Sequence, residues 1–272
     1  MLDTFSILQI KSVKSIVNMY ETGSPVGRYD TLVILGDGAG ITYGKTQTTE
    51  NGGGLWKLIF EEYERLNGKF LPEFRKYKNM LYNKEGGGSK GALTQSKEFK
   101  DLLVKTARED ELMKKAQDMH FHRNYFRPAL QMAEDYEITQ PLILATIYDI
   151  FIHSGPKGGG NFIEKFDEGW DYPSSSDLGF DPESEELTQD QEVILERAWG
   201  LDLIKKRDHW LRTFTNKRSQ SHTNVVRKSA YRTKSLMDLA ERQKWLLEPP
   251  FFVKVNNAIS HTITKEVLED VF

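Results

Sequence analysis

Tyr20-Glu21-Thr22-Gly23-Ser24-Pro25, followed by Leu35-Gly36-Asp37-Gly38-Ala39-Gly40-Ile41-Thr42-Tyr43-Gly44, are the two stretches on which the reading of this chain turns. The first closes an apolar run. Phe5, Ile7, Leu8, Ile10, Val13, Ile16, Val17 and Tyr20 recur at mostly helical spacing, and Gly23 and Pro25 are stop signals. A helix therefore ends with Glu21 in its last turn. The second stretch is glycine-dense and joins two segments suited to extended backbone, 29–35 and 41–49. This predicts a small hairpin turning at Gly36-Asp37-Gly38.

Two carboxylates on separate elements, with hydroxyls and bare backbone between them, form the pattern that hydrolysis of a glycosidic bond uses. Glu21 is the candidate acid: a helix-end carboxyl facing a cleft is partly desolvated, which raises its proton affinity. Asp37 is the candidate base, since flanking glycines let backbone approach a sugar closely. Thr42 is placed to hold a water beside Asp37. On spacing alone the plainer reading comes first, because Gly-Asp-Gly favours a simple turn and a helix-end Glu is usually solvated.

Outward from these stretches the chain reads as mostly helix. Apolar spacing predicts helices over 55–66, 72–82, 97–119 and 128–136, and a buried helix over 141–153 opened by Pro141. Residues 86–89 form a Gly/Ser loop and 155–160 a Pro/Gly turn. Residues 170–187 are acidic and rich in Ser and Pro, predicting a mobile excursion. Thr188 and Gln191 have capping-box spacing at the start of a helix over 188–216, and 221–246 reads as another. No internal repeat is present. The expectation is one catalytic domain over 1–272, mainly α (α+β), with two helical lobes and a small β element beside a cleft.

Bulk composition narrows the function. A formal net charge of −3 over 272 residues argues against nucleic-acid binding driven by overall charge. With no cysteine, disulfides and thiolate metal sites are excluded. His120 and His122 lack a carboxylate partner for a metal, and Gly158-Gly159-Gly160 follows no strand that would make it a phosphate cradle. Neither a metal nor any other cofactor is expected. Basic clusters such as Lys205-Lys206-Arg207 and Lys217-Arg218 read as solvated helix faces. No signal peptide is visible at the N-terminus, and the most apolar stretch, 142–152, is too short for membrane insertion.

The motifs resemble those of the chitosanases of glycoside hydrolase family 46, within the lysozyme-like superfamily. The shared pattern is a helix ending in Glu21, then Leu35-Gly36-Asp37-Gly38-Ala39-Gly40-Ile41-Thr42-Tyr43-Gly44. Asn124-Tyr125-Phe126-Arg127-Pro128-Ala129, Tyr148-Asp149 and His153-Ser154-Gly155-Pro156 match in the same order. The resemblance implies a mainly α, lysozyme-like fold and inverting hydrolysis of β-1,4 linkages, with Glu21 as acid, Asp37 as base and Thr42 positioning water. It also implies a buried Asp and two Arg behind the acid, which by position are Asp149, Arg207 and Arg227, with Arg232 the alternative to the last.

The chain also departs from that pattern. The family's substrate-binding Asp before the next helix falls on Gly54, and the nearest carboxylate is Glu50. Losing a charge-assisted bond to an ammonium favours an N-acetylated polymer, so peptidoglycan is the first expected substrate, chitosan the second, and noncatalytic glycan binding the third reading. Tyr43 is the leading candidate for sugar contact, with Tyr29 and Glu50 beside it and Trp56, Trp170 and Tyr172 as further aromatic candidates. A polysaccharide of the cell wall or extracellular space is the expected partner; no protein partner is legible.

Overall fold

A computed structural model describes residues 4–34, 36, 38–45, 47–83, 91–184, 186–216 and 230–272, without the side chains of 208–216. The described residues are mainly helical, with two small antiparallel sheets. They group into two compact units, one of residues 18–124 and one of residues up to 17 together with 125–271.

Helix α1 (Ile7–Thr22) gives its residues up to Val17 to one unit and those from Asn18 to the other. Val13, Ile16, Val17 and Tyr20 are buried on it, an i, i+3, i+4, i+7 stripe. Gly23, at φ 73°, ends it with a bond from its N–H to the Met19 carbonyl (3.0 Å), the left-handed C-terminal cap that glycine adopts without strain. Asn18 Nδ2 donates to the Pro25 carbonyl at 2.9 Å, tying the following loop back onto the last turn. Glu21 is therefore carried on a helix end braced from both sides.

In the 18–124 unit, strands β1 (Leu32–Ile34), β2 (Ile41–Tyr43) and β3 (Thr48–Thr49) form an antiparallel sheet in the order β1-β2-β3. Leu32 faces Tyr43, Val33 faces Thr42 and Ile34 faces Ile41. The expected antiparallel pairing of the segments flanking 36–38 is present. The segment 41–49, read as one extended piece, instead folds back at Gly44, because Gly44 (φ 80°) and Gln47 (φ 54°) both adopt left-handed backbone. Ile41 and Tyr43 enter a core with Leu55, Leu58, Tyr63, Phe74 and Phe99, each burial contributing about 1.5–3 kcal/mol. The helix expected over 97–119 breaks at Asp110, which is extended and caps the second piece through Leu112 N–H at 3.0 Å. Asp110 also accepts from Tyr63 Oη (2.6 Å) and Lys69 N–H (2.8 Å). The break thus joins two distant segments.

In the other unit, the helix Pro141–Glu168 packs against Gln189–Asn216 and Ala230–Glu241. The turn expected over 155–160 is a correction. Only Gly155 leaves helical geometry (φ 72°, ψ 158°), and the helix resumes at Pro156. Gly159 stays helical, where a side chain would meet the Phe151 ring at 2.6 Å. The Thr188–Gln191 capping box forms, with Thr188 N–H to Gln191 Oε1 at 2.8 Å. The acidic segment holds a short helix, Ser175–Leu178, capped by Ser174. An unanticipated hairpin pairs Phe251–Lys254 with Ser260–Ile263. No helix among the described residues is long and apolar enough to cross a membrane.

Candidate active site

Asp37 lies outside the described residues, but its neighbours are fixed. Gly36, Gly38 and Gly40 have φ of 72°, 89° and 74°, backbone that L side chains adopt only with strain. The loop is anchored from the segment after β3. Asn51 Nδ2 donates to the Gly38 carbonyl, Asn51 N–H to the Ala39 carbonyl at 3.1 Å, and Glu50 N–H to the Ile41 carbonyl at 2.8 Å. Glu50 Oε2 accepts from Ile41 N–H at 3.1 Å. A Cβ on Gly40 would lie 2.6 Å from that oxygen, so Gly40 serves close approach as well as conformation.

Thr42 follows on β2. It is 3% exposed, and its Oγ1 has no hydrogen-bond partner among the described residues. A buried hydroxyl without a partner is costly, which marks this oxygen as one that other polar groups would satisfy. Glu21 is half-buried in the last turn of α1.

The sugar-contact candidates fare differently. Tyr43 is fully buried and its hydroxyl donates to the Leu103 carbonyl at 2.8 Å; its ring has no face to offer a ligand, which corrects that expectation. Glu50 is also fully buried, under the β1–β2 loop. Burial raises its pKa, opposed by the Ile41 N–H. It supports the loop instead of presenting a charge at the surface, a second correction. Tyr29 is half-buried, with its hydroxyl on Asp118 Oδ2 at 2.9 Å and Lys45 Nζ over its ring at 5.1 Å. Burial and the Asp118 charge push its pKa up. Lys45 and Asp118 form a buried ion pair at 2.7 Å, and Gln117 bridges Lys45 N–H (2.9 Å) to the Tyr29 carbonyl (2.9 Å). Sequence reading missed this network. Lys45 follows the glycine motif directly, but Gln117 and Asp118 sit on a helix some seventy residues later with no local signal.

In the other unit, Asp149 is fully buried and holds two guanidinium groups. Oδ2 accepts from Arg207, and Oδ1 from Arg232 Nη1 at 2.8 Å. Arg207 is itself fully buried and donates to Thr233 Oγ1 at 3.1 Å. Of the two Arg positions weighed for the second partner, Arg227 lies outside the described residues and Arg232 makes the contact. Burial alone would raise the Asp149 pKa, but Arg207 and Arg232 outweigh it and hold the carboxyl well below its usual range. His153 Nδ1 sits 3.8 Å from Asp149 Oδ1. Burial and the Arg232 charge push its pKa down to about 3, so it is neutral.

Comparison with solved structures places the fold. A mutant chitosanase from Bacillus subtilis MY002 complexed with 6 GlcN superimposes with a TM-score of 0.73 at 20% identity, covering 94% of this chain and 98% of that one. A family 46 chitosanase from Gynuella sunshinyii in complex with chitotetraose gives 0.70 at 21% identity, covering 92% and 96%. No curated protein sequence matches. The model of glycosyl hydrolase family 46 matches residues 15–170, more than half of the chain, a span that includes Glu21, Asp37, Thr42 and Asp149. This chain belongs to glycosyl hydrolase family 46 and is a glycoside hydrolase.

Proposed function

We propose that this enzyme cleaves β-1,4 linkages in a glucosamine polymer, chitosan, by single displacement with inversion. The observation that carries the reading is the family match across Glu21, Asp37 and Thr42, joined to a fold shared with chitosanases bound to 6 GlcN and to chitotetraose. Glu21 gives its proton to the leaving glycosidic oxygen as the bond to the anomeric carbon breaks. Asp37 takes a proton from a water whose oxygen bonds to that carbon from the opposite face. The Thr42 hydroxyl, buried and without a partner among the described residues, holds that water. Asp37 belongs to the glycine loop that Asn51 and Glu50 anchor. The polymer would be met in a cell wall or extracellular space.

One observation favours peptidoglycan as a second reading. Gly54 offers no carboxylate, and Glu50 is committed beneath the loop. The test pairs reducing-end release from chitosan with turbidity loss of purified cell walls. Hydrolysis of chitosan is expected; clearing of walls without it would transfer the assignment to the second reading. Glu21→Gln and Asp37→Asn should each reduce turnover by roughly two to four orders of magnitude with folding and glycan binding retained. Near-native rates would remove the assigned roles and leave a glycan-binding protein.

A further inference from the structure

Between residues 166 and 196 the sequence has eleven Asp and Glu and no Lys, Arg or His, against a net charge of −3 for the whole chain. This part of the 125–271 unit folds around a pocket of about 650 Å³, within the range of small-ligand sites. No Lys or Arg is among the described residues that line it.

Its walls are aromatic. Tyr136 and Trp199 lie with ring centroids 6.0 Å apart, and Trp170 and Tyr172 5.1 Å apart. The indole edges are pinned: Trp199 Nε1 donates to Asp167 Oδ1 at 2.9 Å and Trp170 Nε1 to Asp202 Oδ2 at 3.3 Å. Tyr172 is 52% exposed although it is a large aromatic.

The carboxylates divide into two kinds. Glu196 is committed to the start of the Pro141–Glu168 helix, accepting from Thr139 N–H (2.7 Å), Gln140 N–H (2.7 Å) and Thr139 Oγ1 (2.6 Å). Glu137 and Glu192 line the pocket as exposed acids. The negative field registers on Tyr136, whose pKa is raised by burial and then by Asp167, Glu164 and Glu168.

Aromatic faces take the C–H faces of sugar rings and attract cations, and carboxylates bind ammonium groups strongly. A neutral acetylated sugar gains the first interaction alone, and an anionic ligand is repelled. We infer that this pocket is an accessory binding site for ammonium-bearing sugars, one or two glucosamine residues of the polymer, stacked on Trp170 and Tyr172 and charge-paired with Glu137 and Glu192. Glu21, Asp37 and Thr42 belong to the other unit, and neither Glu21 nor Thr42 is among the residues lining this pocket. The inference rests on the chitosan reading for its ligand.

The test uses the full chain carrying Glu21→Gln and follows the indole N–H signals of Trp170 and Trp199 by NMR during titration with glucosamine dimer. Saturable shifts are expected. Binding should weaken about tenfold when Glu137→Gln and Glu192→Gln are combined, and for N-acetylglucosamine dimer relative to glucosamine dimer. On the active enzyme, Tyr172→Ala should raise KM for polymeric chitosan more than KM for glucosamine tetramer. Indole signals that do not move, or an acetylated dimer that binds equally well, would overturn the site. If the dimer saturates these signals yet the active enzyme releases nothing from chitosan, the pocket stands and the substrate reading fails. If chitosan is hydrolysed with the indoles silent, the pocket alone fails.

Discussion

Glu50 and Asp149 are both fully buried carboxylates, one in each compact unit, and the protein treats them in opposite ways. Asp149 is held ionised by two guanidinium groups. Glu50 has a single backbone N–H on Oε2 and no hydrogen-bond partner on Oε1 among the described residues, and its pKa moves up. Burial acts in the same direction on both; the partners decide which way each pKa moves. The lesson extends to function. Asp149 sets a fixed charge into a helical core, and Glu50 is a buried support for a glycine loop.

Removing each carboxylate's charge or its acceptor should separate the two most sharply. Asp149→Asn removes the buried carboxylate that Arg207 and Arg232 share and should cost about 3–5 kcal/mol, read from urea denaturation. An unchanged midpoint would mean the cluster is solvated. Glu50→Ala removes the acceptor for the buried Ile41 N–H and should cost about 1–3 kcal/mol, with a fall in kcat larger than any change in KM because the loop carrying Asp37 is loosened.

Next in size is the pH response. His153 and His120 are neutral when folded, their pKa values pushed down to about 3 and about 4 by burial foremost. The unfolded chain takes up these protons near pH 6.5, so stability is full above that value and falls as pH drops. Each imidazole removes about 1.4 kcal/mol per pH unit until its folded pKa is reached. The Asp149 ion pairs resist acid further, since a depressed carboxyl loses its contribution only below its unfolded value of 3.8. Glu50 works the other way, relieving a buried charge as pH falls. Denaturation at pH 7 and pH 5 should show the loss, and His120→Asn should flatten it; equal stability at both values would contradict the neutral-imidazole assignment. The smallest effect is expected for Glu50→Gln, which keeps an acceptor for Ile41 N–H and removes the charge: stability at pH 7 should stay within about 1 kcal/mol of the parent. A loss as large as that of Glu50→Ala would mean the carboxylate itself is needed.

Helix α1 and the antiparallel pairing that flanks 36–38 were readable because their signals are local: an apolar stripe, a glycine stop and glycines at positive φ. The Tyr43 expectation failed because nothing nearby in the sequence says which face of a three-residue strand meets the core. The 155–160 turn failed because Gly159 serves packing against Phe151, and composition does not distinguish a packing glycine from a turning one. Arg232 was named only as an alternative because its pairing with Asp149 spans eighty-three residues.

The sequence by itself determined the helical class, the helix ending in Glu21, the glycine loop around Asp37 and the family, all of which reside in residue order and short-range backbone preference. Tertiary structure alone decided that Glu50 lies under the loop, that Tyr43 fills the core, and that Arg207 and Arg232 meet on Asp149. Burial and charge pairing depend on distances between segments far apart in the chain, and those distances exist only once the core has closed.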